Sequence, residues 1–203
     1  MDHGRETVNS RLENLQPYPF ERLRQLCAQV MPSKDFNAIK LSIGEPRHEP
    51  PTAVMKALEK ALPGVMKYPP TSGSTRLRES IAEWLTKRFS LPPQCVNAAA
   101  NVLPVAGTRE ALFAIAQCVF DPQDKARRHV LMPNPFYQIY EGAALLAGGD
   151  PWFYNTLAAQ DYQPDFDAVP ANVWEHCQLL YLCTPGNPSV SYTHLTLPTT
   201  PYV

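Results

Sequence analysis

Short apolar runs alternate with helical stretches along this chain, and that alternation limits the fold more than any other feature. Val102 to Val105, His129 to Met132, Trp152-Phe153-Tyr154 and Gln178 to Cys183 read as extended or buried strands, and Leu41-Ser42-Ile43 is a further short apolar run stopped by Gly44-Glu45-Pro46. Helical spacing fills the gaps. Val54, Leu58 and Leu62 share one face of Thr52 to Leu62, and Leu77, Ile81 and Leu85 stack beside Trp84. Leu112, Ile115, Ala116 and Val119 form the expected buried stripe of Arg109 to Val119. Phe136 to Ala147 reads as a helix ended by Gly148-Gly149, and Asp165 to Trp174 as a loop and short helix. Asn9 to Val30 is helical in pieces, interrupted by Pro17 and Pro19. Strands taken in turn with helices predict an α/β fold, a mainly parallel sheet flanked by helices.

Composition removes several classes of function. A formal net charge of −1 over 203 residues gives no basic footprint for nucleic acid or an anionic membrane. No apolar run approaches the ~20 residues that span a bilayer, and Met1 to Phe20 carries no apolar signal region. Cys27, Cys95, Cys118, Cys177 and Cys183 are odd in number and contain no Cys-x-x-Cys pair, which fits reduced thiols and a cytoplasmic protein. The 22 prolines are about double the usual ~5%. They fall beside Gly, Asn and Thr at the edges of apolar runs, where they punctuate elements.

Four places could carry chemistry. Gly107-Thr108-Arg109 follows an apolar run and opens a helix, so backbone N–H groups at the positive end of a helix dipole, with a hydroxyl and a guanidinium, suit a phosphate. The plain alternative is an N-cap with a solvated arginine. Thr184-Pro185-Gly186-Asn187-Pro188 follows a strand, where ligand groups of open α/β sheets gather, and its prolines would hold the Asn187 amide in place. A turn Asn bonded to its own backbone is the competing reading. Tyr137, in Pro135-Phe136-Tyr137, offers a face for a flat ring or packs in the core. Tyr68 sits in a rigid proline-rich loop and either meets a ligand or lies on its own surface. The histidines His3, His48, His129, His176 and His194 show no metal or triad spacing, and there is no Gly-rich nucleotide loop.

Taken in order, Ser42-Ile43-Gly44-Glu45-Pro46, Tyr68…Gly73…Leu77-Arg78, Gly107-Thr108-Arg109-Glu110-Ala111-Leu112, Pro133-Asn134-Pro135-Phe136-Tyr137 and Pro185-Gly186-Asn187-Pro188 resemble the motifs of class I/II, fold-type I aminotransferases that use pyridoxal 5′-phosphate (PLP). The wording of Arg11 to Phe20 and of Asn134 to Ala144 is most similar to the succinyldiaminopimelate transaminases of bacterial lysine biosynthesis. The resemblance implies that Gly107, Thr108 and Arg109 hold the cofactor phosphate, mainly through backbone N–H. It implies that Tyr137 stacks on the pyridine ring, that Asn187 bonds its 3′-oxygen, and that Tyr68 reaches the phosphate of a neighbouring subunit in a homodimer. The Gly44 backbone would face the substrate carboxylate. The implied reaction moves an amino group between an amino acid and a 2-oxo acid, here N-succinyl-diaminopimelate and 2-oxoglutarate/glutamate.

The family's Schiff-base lysine follows the asparagine loop, whereas Lys34, Lys40, Lys56, Lys60, Lys67, Lys87 and Lys125 all precede it. The residues given are therefore expected to be a truncated N-terminal part, inactive by themselves. Residues 1–45 are expected as an N-terminal arm and the start of the small domain, 46–188 as a partial large PLP-binding domain, and the uncharged 189–203 as a non-native tail. Rival readings are another fold-type I activity such as a C–S lyase, and a non-catalytic aminotransferase-like ligand-binding module.

Overall fold

Residues 9–37, 39 and 48–192 are described in this computed structural model. They form α1 (Pro19–Cys27), α2 (Thr52–Ala61), α3 (Thr75–Arg88), α4 (Thr108–Val119), β1 (His129–Asn134), α5 (Ile139–Ala147), β2 (Asp150–Asn155), α6 (Ala171–Glu175) and β3 (Cys177–Leu180). Short 3₁₀ turns lie at Ser10–Asn14, Leu62–Met66 and Ala158–Gln160. Two compact units result, one of residues 1–17 with 106–203 and one of residues 18–105.

The unit carrying residues 106–203 is a layered α/β structure. Its sheet has the order β2-β1-β3, and both pairings are parallel. The central strand is apolar on both faces because both are covered. Val130 and Met132 pack with Ala116 and Phe120 and with Tyr140, Ala143, Ala144 and Ala147 of α5. Leu131 points the other way, into a cluster with Tyr154, Val169 and Val173. Val130, Leu131 and Met132 are fully buried. The chain leaves β1 through α5 over one face and returns to β3 through α6 on the other. The crevice of such a sheet opens at the carboxyl ends of its strands.

Helix α5 ends where Gly148 takes a left-handed conformation, φ 93°, which costs a glycine nothing. Gly148 N–H donates to Leu145 O and Gly149 N–H to Ala144 O. Arg11, from the first 3₁₀ turn, donates from Nη1 to Leu146 O at 3.0 Å and lies over this helix end.

In the unit of residues 18–105, α3 starts at Ser74, whose hydroxyl accepts from Leu77 N–H at 3.2 Å. Gly73 before it adopts φ 73° against Pro104.

Several expectations change. Val102 to Val105 is irregular and joins no sheet among the described residues, because an extended apolar run becomes a strand only when it finds a ladder partner. The stripe expected on α4 is half right. Ala116 is buried and Leu112 packs against the core, but Ile115 and Val119 are 49% and 50% exposed. The faces of α2 and α3 are likewise open, at Val54, Leu58, Leu62, Leu77 and Trp84. The helix expected from Phe136 begins at Ile139, and the last strand runs Cys177–Leu180. Leu41 to Ile43 lies outside the described residues.

Candidate functional site

At the carboxyl end of β1 the chain turns through Asn134-Pro135 into the loop that carries Tyr137. Asn134 ends the strand, and its side-chain amide donates to Asn155 Oδ1 at the end of β2, 2.8 Å away. The peptide bonds preceding Pro135, Pro185 and Pro188 are cis. Tyr137 is half-buried, and its hydroxyl accepts from Arg109 Nε at 2.9 Å. The Arg109 guanidinium carbon lies 5.9 Å from the Tyr137 ring centroid, a cation–π distance. Two residues proposed from separate motifs, 28 positions apart, thus touch.

Arg109 belongs to the first turn of α4. Gly107 is the N-cap and provides no side-chain capping bond. A Cβ added at position 107 would run into the carboxylate of Glu110, which folds back toward the head of the helix. An acidic group there is favourable because the amino end of a helix carries partial positive charge. Thr108 and Arg109 lie beside it in the first turn.

Beneath Tyr137 lies a row of aromatic rings. Tyr140 meets it edge-on at 5.9 Å and stacks on Tyr181 at 4.3 Å with 15° between the planes. Tyr181 donates its hydroxyl hydrogen to Leu112 O, on α4, at 2.8 Å. Burial pushes the Tyr140 phenol up to about 12, with the neighbouring Cys183 thiol adding to the effect. Burial also raises Tyr181 and Tyr154. This floor is neutral over the whole physiological range.

Asn187 is exposed and lines a small pocket with Pro133, Pro135, Tyr154, Thr156 and Cys183. The pocket sits at the carboxyl ends of the strands, one step along the loop from Tyr137, but neither Tyr137 nor residues 107–109 form its wall. The structure therefore joins Arg109 to Tyr137 directly and brings Asn187 to the adjoining stretch of the same loop. Tyr68, in the other unit, is fully exposed. Gly44 lies outside the described residues. Among the described residues no group of three or more His, Cys, Asp or Glu is placed to hold a metal, and no helix is long and apolar enough to cross a membrane.

Tyr140, Tyr181 and Cys183 escape the sequence reading. Tyr140 stands three residues after Tyr137, a spacing that signals a shared helical face. Nothing in the sequence pairs it with Tyr181, just beyond β3.

Residues 37–195 match the family described as aminotransferase class I and II. The chain belongs to the class I and II aminotransferases. An LL-diaminopimelate aminotransferase of Dehalococcoides mccartyi is 33% identical over 184 residues, 90% of this chain and 45% of that protein. One of Desulforudis audaxviator is 33% identical over 183 residues, 88% and 44% of the two chains. Among solved structures, an aminotransferase from Neisseria meningitidis is 40% identical with a TM-score of 0.82, covering 91% of this chain and 46% of that one. The aminotransferase AspB of Helicobacter pylori is 29% identical with a TM-score of 0.75, covering 88% and 45%. The chain spans under half the length of the relatives it matches. These aminotransferases use PLP, and the residues present fit a phosphorylated aromatic ring: a helix amino end capped by a glycine, with the Tyr137 phenol ring tethered to it through Arg109.

Proposed function

We propose that this chain supplies the phosphate-holding and ring-stacking half of a PLP-dependent transaminase, which transfers an amino group between an amino acid and a 2-oxo acid. The observation that carries the reading is the contact between Arg109 and Tyr137, which puts an aromatic plate at the head of an N-terminal helix turn. Thr108 and Arg109 N–H groups, with Gly107, would hold the phosphate. Tyr137 would lie against the pyridine ring, and Asn187 would donate to its 3′-oxygen. Tyr68 would complete the phosphate site of a second subunit in a homodimer, and the Gly44 backbone would face the substrate carboxylate. When bound, the cofactor supplies an electron sink for the substrate α-carbon. The protein groups named here bind and orient it.

The donor we propose has a diaminopimelate skeleton. The segments at residues 11–20 and 134–144 favour the N-succinyl form, whereas similar relatives are named for LL-diaminopimelate. The two differ in whether the distal amino group is a cation or an acylated, anionic arm, so a site reads them by opposite charge.

The test is a titration of the full-length protein with PLP, followed by visible absorbance, then glutamate formation from 2-oxoglutarate with each donor. Uptake of cofactor and turnover of one donor are expected. A full-length protein that leaves PLP free in solution would sink the proposal, and turnover only of unrelated amino acids would sink the donor assignment. Residues 1–203 by themselves are expected to show no turnover, since each lysine they contain precedes the asparagine loop.

A further inference from the structure

The contacts around Tyr137 close into a circuit. Arg109 Nε donates to the Tyr137 hydroxyl at 2.9 Å. Tyr137 rests edge-on against Tyr140 at 5.9 Å, and Tyr140 stacks on Tyr181 at 4.3 Å. The Tyr181 hydroxyl returns to α4 through Leu112 O at 2.8 Å. Arg109 and Leu112 are three residues apart on one helix, so the circuit starts and ends on α4. It passes through the loop after β1, through α5 and through the end of β3. Tyr140 and Tyr181 are 4% and 5% exposed, so the lower half of the circuit is fixed by packing. The upper half is held less tightly. Tyr137 packs against the core on one side but is only half-buried, and Arg109 is exposed, so the hydroxyl end of the ring relies on the Arg109 bond for its placement.

We infer that Arg109 is a positioning residue for Tyr137, its guanidinium fixing the plate relative to the helix head so that the phosphate and ring subsites keep one spacing. This inference rests on the PLP reading for its consequence, though the tether itself does not. A phosphate bound by backbone N–H groups at residues 107–109 is anchored to α4. The ring it carries must meet Tyr137, which belongs to a different element. Without a link between the two, each binding event would pay for ordering Tyr137, and preorganisation removes that cost. The role differs from direct phosphate binding by the arginine side chain, which would make Arg109 act independently of the Tyr137 hydroxyl.

The experiment is a double-substitution cycle in the full-length protein with Arg109→Met, Tyr137→Phe and the pair. In apo protein, each single change is expected to lower the melting temperature by a similar small amount, and the pair by no more than either. Additive losses in apo protein would overturn the tether, since coupled neighbours depart from additivity and independent ones do not. In the PLP-loaded protein, each single change is expected to weaken cofactor binding about 2- to 10-fold, one hydrogen bond's worth. Both should change the visible circular dichroism of the bound cofactor in the same way, with no further change in the pair. If Arg109→Met weakens binding equally in the wild-type and Tyr137→Phe backgrounds, the side chain acts on the phosphate directly and the positioning role is lost. If wild-type protein takes up no PLP, the proposed function falls while the apo cycle still decides the tether.

Discussion

Tyr154, at the end of β2, donates its hydroxyl hydrogen to the backbone carbonyl of Tyr181, just beyond β3, at 2.8 Å. The two strands are not neighbours, because β1 lies between them. A single buried phenol therefore ties the outer strands together underneath the mouth of the crevice.

Tyr154→Phe removes this bond and leaves a buried carbonyl short of a donor. The expected loss is about 1–2 kcal/mol of stability, read as a lower urea midpoint with an unchanged slope. A midpoint equal to wild type would show that the carbonyl finds another donor and that the tie contributes nothing.

Tyr140 predicts a loss of stability on the alkaline side. Its folded pKa lies at about 12, raised above the ordinary value of 10.0 mainly by burial. A raised acid holds its proton more tightly when folded, so its contribution is complete below about pH 10 and is lost as pH rises through about 12. The amount is on the order of 1–3 kcal/mol, and Tyr181 and Tyr154 shift in the same direction. Denaturant midpoints measured across this window should fall less steeply in Tyr140→Phe. Equal slopes in the two proteins would remove Tyr140 as the cause.

Gly148→Ala strains a left-handed position, φ 93°, and sets a methyl group 3.0 Å from the Arg11 guanidinium. A destabilisation of about 1–2 kcal/mol is expected. Part of it should vanish in an Arg11→Met background, because the arginine tip that the methyl would displace is already gone. Thermal melts of the two single variants and the pair check this, and strict additivity would argue that Arg11 does not rest on the helix end.

Asn187→Ala separates a ligand role from a structural one. The side chain is exposed at the pocket wall, so the melting temperature of the apo protein should stay close to wild type. PLP affinity of the full-length protein should fall about 10-fold, the order expected for a hydrogen bond to a charged group. A large loss of apo stability with unchanged affinity would reassign Asn187 to the turn.

Much of the layered unit is legible in the sequence, and the reason is local. Val130, Leu131 and Met132 are continuous and apolar, as a strand covered on both faces must be. Gly148 marks the end of α5 because only a left-handed residue closes that helix without strain. What the sequence conceals depends on partners far along the chain. Val102 to Val105 has strand character but no ladder. The α4 stripe is legible as a period, yet Ile115 and Val119 stay open because covering them requires a neighbour that periodicity does not name. Within the site, Gly107, Thr108, Arg109, Tyr137 and Asn187 are visible as motifs. The aromatic floor of Tyr140 and Tyr181 is not, since it arises where α5 meets the end of β3 in space.

The double covering of β1 has a consequence for how the molecule opens. Its three central residues touch both layers, and its backbone pairs on both sides, so its amides should be the slowest in the unit to exchange with solvent. Loops at its carboxyl end can fluctuate or be vacated by a ligand without loosening the strand they spring from. Recruitment of a small molecule to that end then becomes a matter of loop ordering on a standing frame, and amide exchange should slow at Phe136–Tyr140 on loading while β1 itself barely changes.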